Sequence, residues 1–158
     1  MERILVFSDT HGNVNNMLKA IDQVSGADRI FHLGDNMRDA VKLSDLTKIP
    51  VTCVAGNCDP GALPKEETVY ICGKKLLLTH GHLFAVKYGL DRLSYYAEEQ
   101  EADAVFYGHT HASAIDYYGK IILVNPGSLR EPRGSSYTFA VVTVSEKAIF
   151  PKIVDLAL

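Results

Sequence analysis

Cysteine is scarce and poorly spaced for cross-linking. Only Cys53, Cys58 and Cys72 occur, an odd number without a metal-finger spacing. They argue against a disulfide framework and for a reducing compartment. Long apolar runs are missing too, since none approaches the roughly 18–20 residues that cross a bilayer. The run Ile4-Leu5-Val6-Phe7 is ended by Ser8-Asp9. It is too short for the apolar region of a secretion signal and lacks its cleavage site. A cytoplasmic location with no membrane partner is the expectation. There is no basic excess: 16 Lys plus Arg stand against 19 Asp plus Glu, a net charge of −3 at pH 7. That balance counts against a protein that coats nucleic acid. Several sequence signatures also fail. No two glycines lie at i and i+2, so there is no G-x-G-x-x-G. Gly56 and Gly61 have Walker A spacing, but Ala62-Leu63 stands where Lys and Ser/Thr are required. Neither G-x-S-x-G nor H-E-x-x-H occurs. No repeat, low-complexity tract or linker interrupts the 158 residues, so a single domain, 1–158, is expected.

What is present is regular alternation. Arg3–Phe7 is a short apolar run, read as a strand buried on both faces. Asn13–Ser25 carries Val14, Met17, Leu18, Ile21 and Val24 at helical offsets, with Gly26 as the stop. Arg29–Leu33 is a second strand, Met37–Leu46 a short helix and Val51–Ala55 a third strand. This β-α-β-α-β order implies parallel strands with right-handed crossovers, whose ligands bind beyond the carboxyl ends. Asp9, Asp35 and Asn57 follow those three ends. The second half predicts a hairpin of Thr68–Cys72 with Lys75–Thr79 around Gly73-Lys74, then a helix over Leu83–Ala102. A buried strand Ala104–Tyr107 follows, then a hairpin of Ala112–Tyr118 with Lys120–Val124. A final antiparallel pair is expected from Tyr137–Val144 and Ala148–Val154. The predicted fold class is α/β: a four-layer αββα sandwich of two mixed β-sheets flanked by helices.

The histidines gather at strand ends, in Asp9-Thr10-His11, His80-Gly81-His82 and His109-Thr110-His111. In an extended segment, residues i and i+2 share a side, so Asp9 with His11, and His109 with His111, could each present two ligands. Two metal ions roughly 3.5–4 Å apart need such neighbouring ligands. The set Asp9, His11, Asp35, Asn57, His80, His109 and His111 supplies mixed oxygen and nitrogen donors, suited to Mn, Fe, Ni, Zn or Mg. Any one pair alone is equally well an ordinary polar strand end.

The order of motifs resembles that of calcineurin-like metallophosphoesterases. D-x-H lies at Asp9–His11, G-D-x-x at Gly34–Met37, G-N-x-D at Gly56–Asp59, a lone His at His80 and G-H-x-H at Gly108–His111. Asn125-Pro126-Gly127-Ser128 with Pro132-Arg133 is similar to the compact single-domain phosphodiesterase branch. The resemblance implies two divalent metal ions, Mn2+ first among Ni2+, Fe2+, Zn2+ and Mg2+. It assigns Asp9, His11 and His111 to one ion, Asn57, His80 and His109 to the other, and Asp35 to both. It further implies hydrolysis of small phosphodiesters by in-line attack of a metal-bridging hydroxide. The net charge of about +1 then left at the centre attracts a phosphate ester anion.

One position departs from the family pattern: Cys58 stands where many members carry His. A thiol donates more weakly, so Cys58 is expected to disfavour esters with high-pKa leaving groups. The candidate catalytic residues are Asn57, Cys58, Asp59 and His82. Asp59 reads equally as a turn residue before Pro60, and His82 as a polar loop residue. His32 inside an apolar strand reads as a satisfied core histidine or a support for the site. Arg130 and Arg133 suit a bidentate phosphate contact, although solvated surface arginines are commoner. The alternatives are a metal-poor binding scaffold resembling the phosphoesterase-fold subunit of retromer, a phosphomonoesterase and a nuclease. The expected partner is a small phosphate-ester substrate, with no strong nucleic-acid signal and a homo-oligomer left open.

Overall fold

The computed structural model describes residues 1–133 and 136–157. Its strands are β1 (Glu2–Phe7), β2 (Arg29–His32), β3 (Val51–Cys53), β4 (Glu66–Ile71), β5 (Lys74–Thr79), β6 (Ala104–Phe106), β7 (Ala114–Tyr118), β8 (Ile121–Asn125), β9 (Thr138–Val144) and β10 (Ile149–Asp155). Its α-helices are α1 (Val14–Gln23), α2 (Met37–Thr47) and α3 (Asp91–Glu99). One five-stranded sheet runs β10-β9-β1-β2-β3 and the other β4-β5-β6-β8-β7. In the first, β1, β2 and β3 are parallel and β9 and β10 close the edge antiparallel. In the second, β5, β6 and β8 are parallel, with β4 and β7 as antiparallel edges. This is the expected αββα order of layers.

Strand alternation builds the layers. In β1, Ile4 and Val6 face the second sheet, whereas Leu5 and Phe7 face α1 and α2. In β5 and β6, Leu76, Leu78, Ala104 and Phe106 meet the first sheet, while Leu77 and Val105 meet Leu93 and Ala97 of α3. Both faces of each central strand are therefore apolar, as the continuous runs predicted. Phe31 of β2 and Phe106 of β6 touch edge to face at 5.6 Å between ring centroids. That contact contributes about 1 kcal/mol beyond area burial. It joins the two sheets one step below the residues that follow their carboxyl ends.

Two local expectations are corrected. The segment Leu83–Ala102 is not one helix. It opens with two short 3-10 turns, His82–Phe84 and Val86–Tyr88, and only Asp91–Glu99 is α-helical. Ala85 at φ 53° and Gly89 at φ 139° break the ladder, and an α-helix tolerates neither angle. The β4–β5 turn is Cys72-Gly73, one residue earlier than expected, because Ile71 pairs with Lys74. Both turn residues have positive φ, as a twist-compatible two-residue hairpin requires.

Candidate metal centre

Five loops leave the carboxyl ends of β1, β2, β3, β5 and β6 and carry Asp9, Asp35, Asn57, His80 and His109–His111. Donor atoms of Asp9, His11 and His111 lie within 4.8 Å of one another, and so do those of Asp9, Asp35 and His80. Asp9 belongs to both groups. Its Oδ1 stands 3.2 Å from Nε2 of His111 and 3.7 Å from Nε2 of His80, and Asp35 Oδ2 is 3.4 Å from that same His80 nitrogen. The His109 ring lies 5.1 Å from His80, while the His11 and His111 rings are 5.3 Å apart. His109 and His111 thus face different groups.

The reason for these pairings is not the expected one. Asp9, His11, His109 and His111 have φ of 54°, 41°, 70° and 61°. The segments are left-handed turns and not extended backbone, so strand alternation does not aim their side chains. The turns are held by outside bonds. The N–H groups of Asp9 and His11 donate to the carbonyls of Gly34 and Asp35, and Gly108 N–H donates to His80 O. A Cβ on Gly108 would overlap Ser8 Oγ and lie 2.7 Å from Asp9 Oδ2. Only glycine lets the β6 loop come so close to Asp9.

The imidazoles are oriented as cation ligands. His80 Nδ1 donates to Leu33 O at 2.7 Å, and His111 Nδ1 donates to Glu131 O at 2.6 Å. A carbonyl only accepts, so each neutral ring keeps its proton on Nδ1 and offers the Nε2 lone pair. Asp9 Oδ1, His11 Nε2 and His80 Nε2 are buried without a hydrogen-bond partner. Native interiors leave few such atoms, and cations placed in the two groups that share Asp9 would satisfy them. The donor set therefore fits divalent metal.

Charge follows the same logic. Burial pushes the Asp9 carboxyl up, but the nearby His111, His80 and Ser8 outweigh it and hold the group below its ordinary range. Burial likewise opposes ionisation of Asp35, and His80 with the Cys58 N–H overrides it. His80 is pulled up by Asp35 and Asp9 despite burial, and His111 is raised chiefly by Asp9. His109 is pushed down to about 4 by burial and then by His80 and Lys87. Two ionised carboxylates thus face imidazoles in a water-poor pocket, which favours positive charge.

The remaining sequence candidates lie around this centre. Asn57 is exposed, and its amide donates to Cys58 Sγ at 3.7 Å. The Cys58 N–H donates to Asp35 Oδ1 at 2.9 Å. Asp59 accepts the N–H groups of Asp35, Gly56 and Met37, so it fixes the loop that carries Asp35. The ring of His82 lies 5.4 Å from His80 and 6.1 Å from His109, and its Nδ1 is buried without a partner. Arg130 and Arg133 are exposed, and the backbone N–H of Arg133 donates to His111 O.

Sequence reasoning missed Asp39, which is fully buried in the first turn of α2. Its Oδ2 accepts Thr10 Oγ1 at 2.6 Å and Gly12 N–H at 2.8 Å, clamping the loop around His11. The ring of His32 completes this network. Its Nδ1 accepts the Gly34 N–H, so Nε2 carries the proton and donates to Thr10 Oγ1 at 2.9 Å. Asn125 and Ser128, part of the motif that resembles the compact branch, carry no role in the sequence reading. Ser128 Oγ donates to Asp9 O, and Asn125 Nδ2 donates to Gly108 O and to Thr110 Oγ1. The one available signal for Asp39 was a charged residue on the apolar side of its helix.

Two parallel strand edges of an αββα sandwich, converging on carboxylates and imidazoles, define a metallophosphoesterase-type domain. Comparison with known families agrees: the calcineurin-like phosphoesterase superfamily domain matches residues 2–147, and the chain belongs to that family. It is 32% identical to the probable metallophosphoesterase YsnB of Bacillus subtilis (strain 168), over 98% of this chain and 91% of that protein. It is 27% identical to phosphodiesterase YfcE of Escherichia coli (strain K12), over 97% and 98%. Among solved structures, a predicted phosphoesterase from Streptococcus pneumoniae TIGR4 superposes with a TM-score of 0.82 at 31% identity, covering 98% of this chain and 89% of that one. Vps29 of Entamoeba histolytica, complexed with Zn2+, shares the fold with a TM-score of 0.77 at 19% identity, over 98% and 99%. Among the described residues, no helix is long and apolar enough to cross a membrane.

Proposed function

We propose that the chain is one catalytic domain that hydrolyses small phosphodiesters with two divalent ions, manganese first among the candidates. Asp9, His11 and His111 would hold one ion. Asp35, His80 and His109, with Asn57, would hold the other, and Asp35 would be shared. When bound, such ions neutralise phosphate charge and supply a water acidic enough to ionise near neutral pH. The observation that carries this reading is the burial of the unpartnered Asp9 Oδ1, His11 Nε2 and His80 Nε2 within two donor groups that share Asp9.

The chain's own groups set the rest. Leu33 O and Glu131 O hold His80 and His111 with Nε2 inward. Asp59 and Asp39 fix the loops bearing Asp35 and His11. Burial and the adjacent Asp35 push the Cys58 thiol up, so it faces a substrate as a neutral, weak donor. Such a donor gives little help to a poor leaving group, which favours activated or diester substrates over stubborn alkyl monoesters. His82 borders the His80–His109 side and would meet a substrate oxygen there. A metal-poor binding scaffold would have no use for buried, unsatisfied metal-type donors, and that disfavours the alternative.

Metal analysis of the purified protein should find two divalent ions per chain. With added Mn2+, bis(4-nitrophenyl) phosphate should turn over faster than 4-nitrophenyl phosphate, and Asp35→Ala should abolish both. A folded, metal-free protein inert to both esters would end the proposal, and faster monoester turnover would overturn the diester preference.

A further inference from the structure

Beside the centre, on the Asp35 side, lies a pocket of about 310 Å³. The first turn and a half of α2 supply Met37, Arg38 and Val41, and the loop after β3 supplies Cys58, Pro60 and Leu63. Its walls are mostly apolar, and Val41 and Leu63 keep 60% and 37% of their surface exposed. Exposed apolar side chains around a concavity next to catalytic-type groups call for an occupant. Cys58 links the two regions, because it lines the pocket and its N–H is bonded to Asp35 Oδ1. Asp59, also in the lining, has both carboxylate oxygens taken up by three backbone N–H groups, so it repels an incoming anion weakly. Arg38 has no carboxylate partner among the described residues. Its guanidinium is free to stack on a ring or to meet negative charge. The Met37 thioether is suited to an aromatic edge.

We propose that this pocket takes the flat aromatic or base-like arm of a phosphodiester whose phosphate sits at the carboxylate–imidazole centre. The inference rests on the hydrolase reading and adds a substrate class to it. The volume suits one ring system with a short linker and not a polymer. Simple dialkyl phosphates lack the group that fills it.

The chain has three methionines, which makes methyl-13C methionine NMR a direct probe. Met37 lines the pocket, Met17 is 0% exposed in the core and Met1 is 87% exposed at the terminus. In the magnesium-loaded protein, diphenyl phosphate should shift the Met37 methyl saturably and leave Met17 in place. Dimethyl phosphate should leave both unmoved. The double variant Val41→Ser/Leu63→Ser changes two partly exposed positions outside the centre. It should weaken diphenyl phosphate about tenfold, the effect of losing one ring's apolar contact. With Mn2+, kcat/KM for phenyl 4-nitrophenyl phosphate and for methyl 4-nitrophenyl phosphate, each of which carries an aromatic arm, should fall in the double variant. A Met37 methyl that ignores diphenyl phosphate, or an unchanged affinity in the double variant, would overturn the pocket assignment. Saturable Met37 shifts without turnover of either ester would sustain the pocket and overturn the hydrolase reading instead.

Discussion

Replacing Asp39 with alanine tests whether the His11 loop is held from behind. Asp39 is fully buried, and its Oδ2 accepts two hydrogen bonds, from Thr10 Oγ1 at 2.6 Å and Gly12 N–H at 2.8 Å. Bonds to a charged acceptor contribute about 1.5–3 kcal/mol each. Removing the carboxylate also relieves the burial of Oδ1, which has no partner. The net loss should be about 3 kcal/mol, a fall in Tm of about 6–12 °C for a chain of this size. The released donors flank His11, so affinity for metal should weaken as well. Asp39→Asn keeps one acceptor and should lie between wild type and alanine. Chemical denaturation of chelated protein measures the first effect, and calorimetric metal titration measures the second. An Asp39→Ala protein within 1 kcal/mol of wild type, with unchanged metal affinity, would refute the clamp.

Gly108→Ala would drive a Cβ into Ser8 Oγ and Asp9 Oδ2; a loss of about 1–3 kcal/mol by denaturant midpoint is expected, and wild-type stability would show that the loop yields freely. Burial holds His32 down to about 4, against 6.5 for a free imidazole, so the unfolded chain takes up its proton first. That contribution to stability is intact above about pH 6.5 and is lost as pH falls toward 4, by about 3 kcal/mol in all. His32→Gln, which keeps a donor for Thr10, should flatten this part of the stability–pH curve, and parallel curves would contradict the buried neutral ring. Cys58→His places a better proton donor beside Asp35; rates on aryl phosphodiesters should then depend less steeply on leaving-group pKa, and an unchanged slope would remove Cys58 from the chemistry.

The sandwich was legible because its central strands are apolar on both faces. Arg3–Phe7 and Ala104–Phe106 have no polar side, so they can only be interior, and strand alternation then sends Leu5 and Ile4 to different layers. The donor residues were legible because they end strands at regular points and keep one chemical character. Other features depended on distant partners. The interrupted helix after His80 follows from a positive φ at Ala85, an alanine that by propensity favours the helix. The left-handed turns at Asp9, His11, His109 and His111 replaced the extended segments expected there. They are held by bonds between loops distant in sequence, such as His109 N–H to Asp9 Oδ2, 100 residues apart.

By itself, the sequence determined which side chains are available and which strand ends carry them, because hydrophobic period and turn residues act locally. Only the tertiary structure decided how they meet. It set His109 and His111 toward different groups and gave Asp39 its hold on the Thr10–Gly12 loop. It also opened an apolar pocket beside Cys58, whose N–H is bonded to Asp35. Those outcomes arise where two sheets and a helix end are packed together, and no local pattern encodes a contact across that junction.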